Sequence, residues 1–268
     1  MDWHEANEAI EAFPGRETAL RKITRYSLYR VMFYRTNLFT HSKRVAWIAN
    51  EIAPYAKRVF GTSFNPERAI ITALVHDDHE IIMGDIQRGN KNKMNAQQKS
   101  ELRKIEERAV ETIIKKFPDR IGPYRYGDLL WSVHHLDCLE AQVVEFADKF
   151  DAFGEALHET FGGNTTFTEN VTNEYGTIET PFYSYIPFLS DFPNNHPDIK
   201  PLFDQSLPML QKPEFIDFRA VALSHTPHTK NSLAKPSGYR HYDEWKRIIL
   251  QNADEEESRN LYVRKEFL

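Results

Sequence analysis

Apolar side chains in the first two thirds of this chain recur at intervals of three and four, and no strand-like alternation stands out there. That spacing places them along one face of an α-helix, so the fold must be built by packing helices together. The clearest case is Ser42–Phe60, where Val45, Ile48, Ala49, Ile52, Ala56 and Val59 form a stripe, Pro54 lies inside and Gly61 supplies a stop. Asn65 and Pro66 read as the cap and first residue of a helix that carries Ala69–Val75 into His76 and Asp77. Further helices are predicted over Arg16–Tyr34, over Ala96–Phe117 up to Pro118, and over Asp128–Phe161 with a break near Asp137. The last of these has its stripe at Val144, Ala147, Phe150, Gly154 and Leu157. The pattern predicts an all-α fold.

After Gly162 and Gly163 the character changes. Residues 164–200 are rich in Thr, Asn, Pro and aromatics and show few helical periods. Leu202–Leu210 reads as a short helix, Ser224–Gly238 as a polar loop, and Tyr242–Asn252 as a last helix.

Composition removes several function classes. Of the 268 residues 41% are hydrophobic and 27% charged, an ordinary globular balance. A net charge of −5 gives no whole-chain attraction to polymeric nucleic acid. Cys138 stands alone, which excludes an intrachain disulfide and predicts a cytoplasmic protein; it is expected to be a small buried apolar residue. The longest apolar run, Ala69–Val75, is too short for a bilayer, so no membrane partner is expected, and the acidic amino end lacks a signal pattern. The Asn-x-Thr triplets at Asn164 and Asn170 read as loop sequence.

The chemistry concentrates in Ala73–Ile86, ALVHDDHEIIMGDI. Adjacent helical residues point about 100° apart, so His76 and Asp77 share one ion only at a helix end or bend, and Gly84 offers one. A mixed nitrogen–oxygen donor set suits a divalent transition metal. His41 opens one amphipathic helix, and Asp148 lies among the apolar positions of another, where a carboxylate needs a metal or an ion pair such as Lys149. Asp151, one turn on, competes for that role.

The order His, His-Asp, Asp on successive helices resembles that of the HD-domain phosphohydrolase superfamily, and most closely its bacterial 5′-deoxynucleotidase group. Four segments carry the likeness: ITRYSLYR, THSKRVAWIA, ALVHDDHEIIMGDI and ADKFDAFGEAL followed by GGN. They run from Ile23 to Asn164, a little over half the chain. The resemblance implies an HD-domain helical bundle over residues 1–200, with a C-terminal extension of loop and helix, 201–268, packed on it. It implies one divalent metal ion (Co, Mn, Zn, Fe or Mg) held by His41, His76, Asp77 and Asp148, with Asp151 in a supporting role. It further implies Glu80 and Asp85 as groups near the reacting phosphate and Arg25 as a phosphate ligand. Tyr26 stands where the family usually has tryptophan, and the loop after Asp85 lacks the usual Pro-Thr-Pro, offering Arg88, Lys91 and Lys93 instead.

The expected activity is hydrolysis of a nucleotide phosphoester, a 5′-deoxynucleoside monophosphate giving nucleoside and phosphate. The alternatives are a deoxynucleoside triphosphate triphosphohydrolase, which the basic loop would suit, and a non-catalytic nucleotide-binding module. A homodimer is the assembly the resemblance suggests. His79, His134 and His135 as further ligands would instead make a two-metal protein; His79 is expected at the surface or in a hydrogen bond. His225, His228 and His241 are expected at the surface, and the tail segment KPSGYRHYDEWKR as a solvated helix and loop, or else as a lid or subunit contact.

Overall fold

The computed structural model describes residues 2–27, 29, 32, 33, 35–86, 91, 94–172, 178, 179, 181–224 and 238–261. The fold is all-α. In chain order the helices are α1 (Trp3–Glu11), α2 (Arg16–Arg21), α3 (Leu38–Phe60), α4 (Pro66–Val75), α5 (Glu80–Met83), α6 (Ala96–Ile114), α7 (Tyr126–His135), α8 (Leu139–Phe161), α9 (Pro181–Asn195), α10 (Phe218–Ser224), α11 (Arg240–Asn252) and α12 (Glu255–Asn260). Two minimal antiparallel pairs join them: β1 (Arg120–Ile121) with β2 (Tyr124–Arg125), and β3 (Val171–Thr172) with β4 (Ile178–Glu179). No described helix is long and apolar enough to cross a membrane.

The chain forms two compact units. The first comprises residues 1–25 and 37–147, the second residues 26–36 and 148–268.

In the first unit α3 packs chiefly on α4. Val45, Ile48, Ala49, Ile52, Ala53 and Ala56 of α3 and Ala69, Ile70, Ala73 and Leu74 of α4 are all buried. Each large aliphatic side chain removed from water this way stabilises by about 1.5–3 kcal/mol. Helix α3 starts four residues earlier than its apolar stripe suggests, because the Asn37 side chain accepts from the Thr40 N–H at 3.0 Å and caps it. It continues through Pro54 and ends at Gly61, whose φ of +59° suits a residue without a Cβ. Helix α4 begins as expected, with Asn65 capping the Arg68 N–H at 3.1 Å and Pro66 in the first turn.

The helix expected over Arg16–Tyr34 is corrected to the short α2. Beyond it Tyr26 takes a left-handed φ of +53°, and Thr24 bridges Asn37. The residues that gave the segment its helical look are used singly in the second unit: the Tyr29 ring stacks on Phe167 at 4.9 Å, and the Phe33 backbone N–H donates to Glu159 Oε2 at 3.0 Å.

In the second unit the carboxyl half of α8 is the central rod. The tail wraps it rather than lying solvated, and His241, Tyr242, Trp245, Ile248 and Ile249 of α11 are all buried. His158 of α8 is held on both ring nitrogens, by the Tyr242 hydroxyl at 2.9 Å and the Leu261 carbonyl at 2.8 Å. His241 is therefore not a surface residue; its Nε2 lies 2.8 Å from the Gln211 carbonyl oxygen, and burial pushes its pKa down to about 4. His225 and His228 lie outside the described residues. Helix α9 spans a stretch that shows little helical period because Pro187 and Pro193 lie inside it. Leu202–Leu210 forms two 3₁₀ turns, Lys200–Asp204 and Pro208–Leu210, rather than one α-helix. Cys138 is half-buried, not buried, because it falls in the break between α7 and α8.

Candidate functional site

Helix α4 stops at Val75, and the next four residues turn into α5. A helix end leaves its last carbonyls without intrahelical donors. Here the acceptors are taken in order: the Ala73 oxygen by His76 Nδ1 at 2.7 Å, the Leu74 oxygen by Arg16 Nη2, and the Val75 oxygen by the Asp78 N–H at 3.0 Å. The bend that sequence spacing demands between His76 and Asp77 is therefore the end of α4 itself. Gly84, with φ of +79°, makes a separate turn later, after α5.

This turn brings two imidazoles and a carboxylate together. His41, in the first turn of α3, is fully buried, and its ring meets that of His76 edge-on at 5.3 Å. A proton on His76 Nδ1 directed at the Ala73 carbonyl leaves the ring's lone pair on Nε2. That nitrogen is 3.2 Å from Asp77 Oδ2, and His41 Nε2 is 3.6 Å from the same oxygen. Two donors each about 2.1 Å from one ion stand about 3.0–3.5 Å apart, so the spacing fits a shared divalent cation. The backbone-anchored Nδ1 of His76 is the outer contact that commonly fixes a metal-binding histidine.

A second group of charges surrounds these three. Glu80 heads α5 and is buried, and its Oε2 has no hydrogen-bond partner among the described residues. Burial raises its pKa well above the carboxylate range; Asp77 and Asp85 add to the rise, while Lys91 and Arg25 oppose it. Asp85 is raised by burial too, against the pull of Arg25, with smaller effects from Asp77, His41 and Lys91. Arg25 is delivered by the chain just before α3, where the Leu38 N–H donates to the Ile23 carbonyl at 3.1 Å. Lys91 pairs with Glu106 of α6 at 2.9 Å. Arg88 and Lys93 lie outside the described residues.

The chain has counterparts among known proteins. Residues 16–192, about two thirds of the chain, match the model of the YfbR-like family, described as 5′-deoxynucleotidase YfbR-like. The chain belongs to this family. A 5′-deoxynucleotidase of Klebsiella pneumoniae subsp. pneumoniae is 32% identical over 149 residues, covering 55% of this chain and 72% of the relative. The 5′-deoxynucleotidase YfbR of Shigella flexneri is 31% identical over 161 residues, covering 60% of this chain and 78% of its own. A solved structure from Magnetospirillum magnetotacticum, described as a predicted metal-dependent phosphohydrolase, is 18% identical with a TM-score of 0.47, covering 76% of this chain and 94% of that one.

Within this YfbR-like chain, the remaining residues singled out by sequence fall as follows. Asp148 belongs to the second unit, where its carboxylate is bonded by the neighbouring Lys149 ammonium. Asp151 is fully buried and accepts from the Trp245 indole N–H at 2.8 Å. The Tyr26 hydroxyl donates to the Ala152 carbonyl at 3.0 Å and lies 3.3 Å from the Tyr185 hydroxyl. His79 is half-buried rather than at the surface, and burial lowers its pKa. His134 Nε2 lies 3.8 Å from Glu107, and His135 stacks on Trp131 at 5.4 Å.

One residue was missed. Asp78, next to the His-Asp pair, is fully buried and holds Arg16 and Tyr126. The only sign in the sequence is the doubled aspartate of HDDHE, which does not say which carboxylate faces which way.

Proposed function

We propose that the chain is a metal-dependent phosphohydrolase that converts 5′-deoxynucleoside monophosphates to nucleoside and inorganic phosphate. The observation that carries this reading is the convergence of His41 and His76 Nε2 on Asp77, beside two carboxyl groups raised by burial and the cations Arg25 and Lys91. His41, His76 and Asp77 would hold the divalent ion, with Asp148 as the fourth ligand that the family resemblance implies. A divalent ion there would supply a water of lowered pKa and offset charge on the phosphoryl oxygens; Co, Mn, Zn, Fe and Mg would all suit such donors.

Arg25 and Lys91 orient the phosphate through charge-assisted hydrogen bonds. Glu80 retains its proton at a higher pH than an exposed carboxyl, so it is suited to protonate the leaving 5′ oxygen as the phosphorus–oxygen bond breaks. Asp85, whose carboxyl feels the Arg25 charge, would stand with Glu80 near the reacting phosphate. Tyr26, tied down on its hydroxyl, is the ring that would pack near the sugar of the nucleoside. Residues 1–200 form the catalytic core and 201–268 the extension of a cytoplasmic, homodimeric enzyme.

The test is phosphate release from nucleoside mono-, di- and triphosphates with Mn²⁺ or Co²⁺ present. Phosphate and nucleoside from deoxynucleoside monophosphates are expected. Tripolyphosphate from triphosphates, or no turnover of any monophosphate, would overturn the proposal.

A further inference from the structure

The buried aspartate that the His-Asp motif does not need is held by side chains from two other elements. Arg16 Nε lies 2.9 and 2.7 Å from the two Asp78 oxygens, and Arg16 Nη2 lies 2.7 Å from Oδ1. The Tyr126 hydroxyl donates to Oδ2 at 2.8 Å. The same Nη2 also donates to the Leu74 carbonyl, two residues before His76. Burial beside this carboxylate keeps the proton on the Tyr126 phenol, so the hydroxyl remains a donor.

Four elements thus meet through the Arg16–Asp78 pair: the start of α2, the end of α4, the turn itself and the start of α7. Arg16 and Asp78 are 6% and 0% exposed at their side chains. Burying a pair of charges gains little net stability over apolar packing, so such a pair is better explained by the geometry it specifies. What this one specifies is the path of the backbone through His76 and Asp77. The Leu74 carbonyl is fixed on one side of the pair and the Asp78 side chain on the other, which leaves His76 and Asp77 little freedom to rotate.

We infer that Asp78, clamped by Arg16 and Tyr126, is a positioning residue that holds His76 and Asp77 in the geometry that binds the divalent ion. The inference rests on the metal-dependent reading above, and on nothing about the nucleotide. Such outer contacts commonly set metal affinity over about 10–100-fold.

The test measures Mn²⁺ affinity of the full chain from the EPR signal of free ion, alongside thermal melting. Tyr126→Phe removes one donor at constant volume and is expected to weaken Mn²⁺ binding about tenfold while the protein stays folded. Asp78→Asn is expected to weaken it further. Leu129→Ala, a core truncation in α7, is expected to lower the melting temperature and leave Mn²⁺ affinity within twofold of wild type. Folded Tyr126→Phe protein with wild-type affinity would overturn the inference, as would an equal loss in Leu129→Ala. Wild-type protein that binds no Mn²⁺ overturns it together with the metal-dependent reading. Wild-type protein that binds Mn²⁺ but hydrolyses no nucleotide removes the proposed substrate alone.

Discussion

Gly154→Ala should destabilise this protein, although glycine to alanine inside a helix normally does the reverse. Gly154 lies in α8, and a Cβ there would sit 2.2 Å from Cδ1 and Cγ of Trp245 and 2.5 Å from its Cδ2. Those are ring atoms of a fully buried indole, with no flexible end to give way. The ring must move, and moving it breaks its hydrogen bond to the buried Asp151 carboxylate at 2.8 Å. Overpacking costs about 1–3 kcal/mol. A lost hydrogen bond to a charged group adds about 1.5–3 kcal/mol. The better helix propensity of alanine returns about 1 kcal/mol. The net is a loss of about 1.5–5 kcal/mol, or about 3–20 °C in melting temperature at this chain length. Circular dichroism melts and urea titrations of the single and double variants measure it. In a Trp245→Ala background the clash is gone, so Gly154→Ala should be neutral or stabilising there. A Gly154→Ala protein that melts at or above wild type would refute the reasoning.

Two further outcomes follow from buried titratable groups. Glu80→Gln should lower kcat by about 10²–10⁴-fold in phosphate-release assays. It should also make the metal-free protein more stable at neutral pH: with the folded pKa raised, the folded state binds more protons than the unfolded, and stability falls as pH rises above the unfolded value. Urea titrations at pH 7 in EDTA that show no gain for Glu80→Gln would contradict this. His241 acts in the opposite direction, since its folded pKa of about 4 lies below an unfolded value of about 6.5. The unfolded state binds the extra proton in that window, so about 3 kcal/mol is lost as pH falls from 6.5 to 4. His241→Gln should flatten that part of the stability curve measured by urea titration.

The sequence made the helices legible where period and cap agree. Asn65-Pro66 and the stripe from Val45 to Ala56 are local signals, and α3 and α4 follow them. It failed where a residue's surroundings are set from far away. The aromatics of 26–33 have a helical look, yet their partners are Phe167 and Glu159, more than a hundred residues on. Trp245, Tyr242 and His241 read as a polar surface segment because Arg, Asp, Glu and Lys stand among them. They are buried because α8 offers Asp151, Gly154 and His158 as a matching groove, and no local pattern announces that match.

The site shows the same division within a single turn. HDDHE places three carboxylates within four residues, at Asp77, Asp78 and Glu80. Left alone they would repel one another and any phosphate. The structure gives each a different environment. Asp78 is neutralised by Arg16, 62 residues away in the chain, together with the Tyr126 phenol. Asp77 faces two imidazole nitrogens, and Glu80 is buried where it favours its protonated form. With the Asp78 charge offset by Arg16, the turn is left with Asp77 against two imidazoles and with Glu80 in surroundings that favour its protonated form. Replacing Arg16 would therefore return a negative charge to the turn as well as loosen it, which is why its effect should reach Glu80 and Asp77 without touching either.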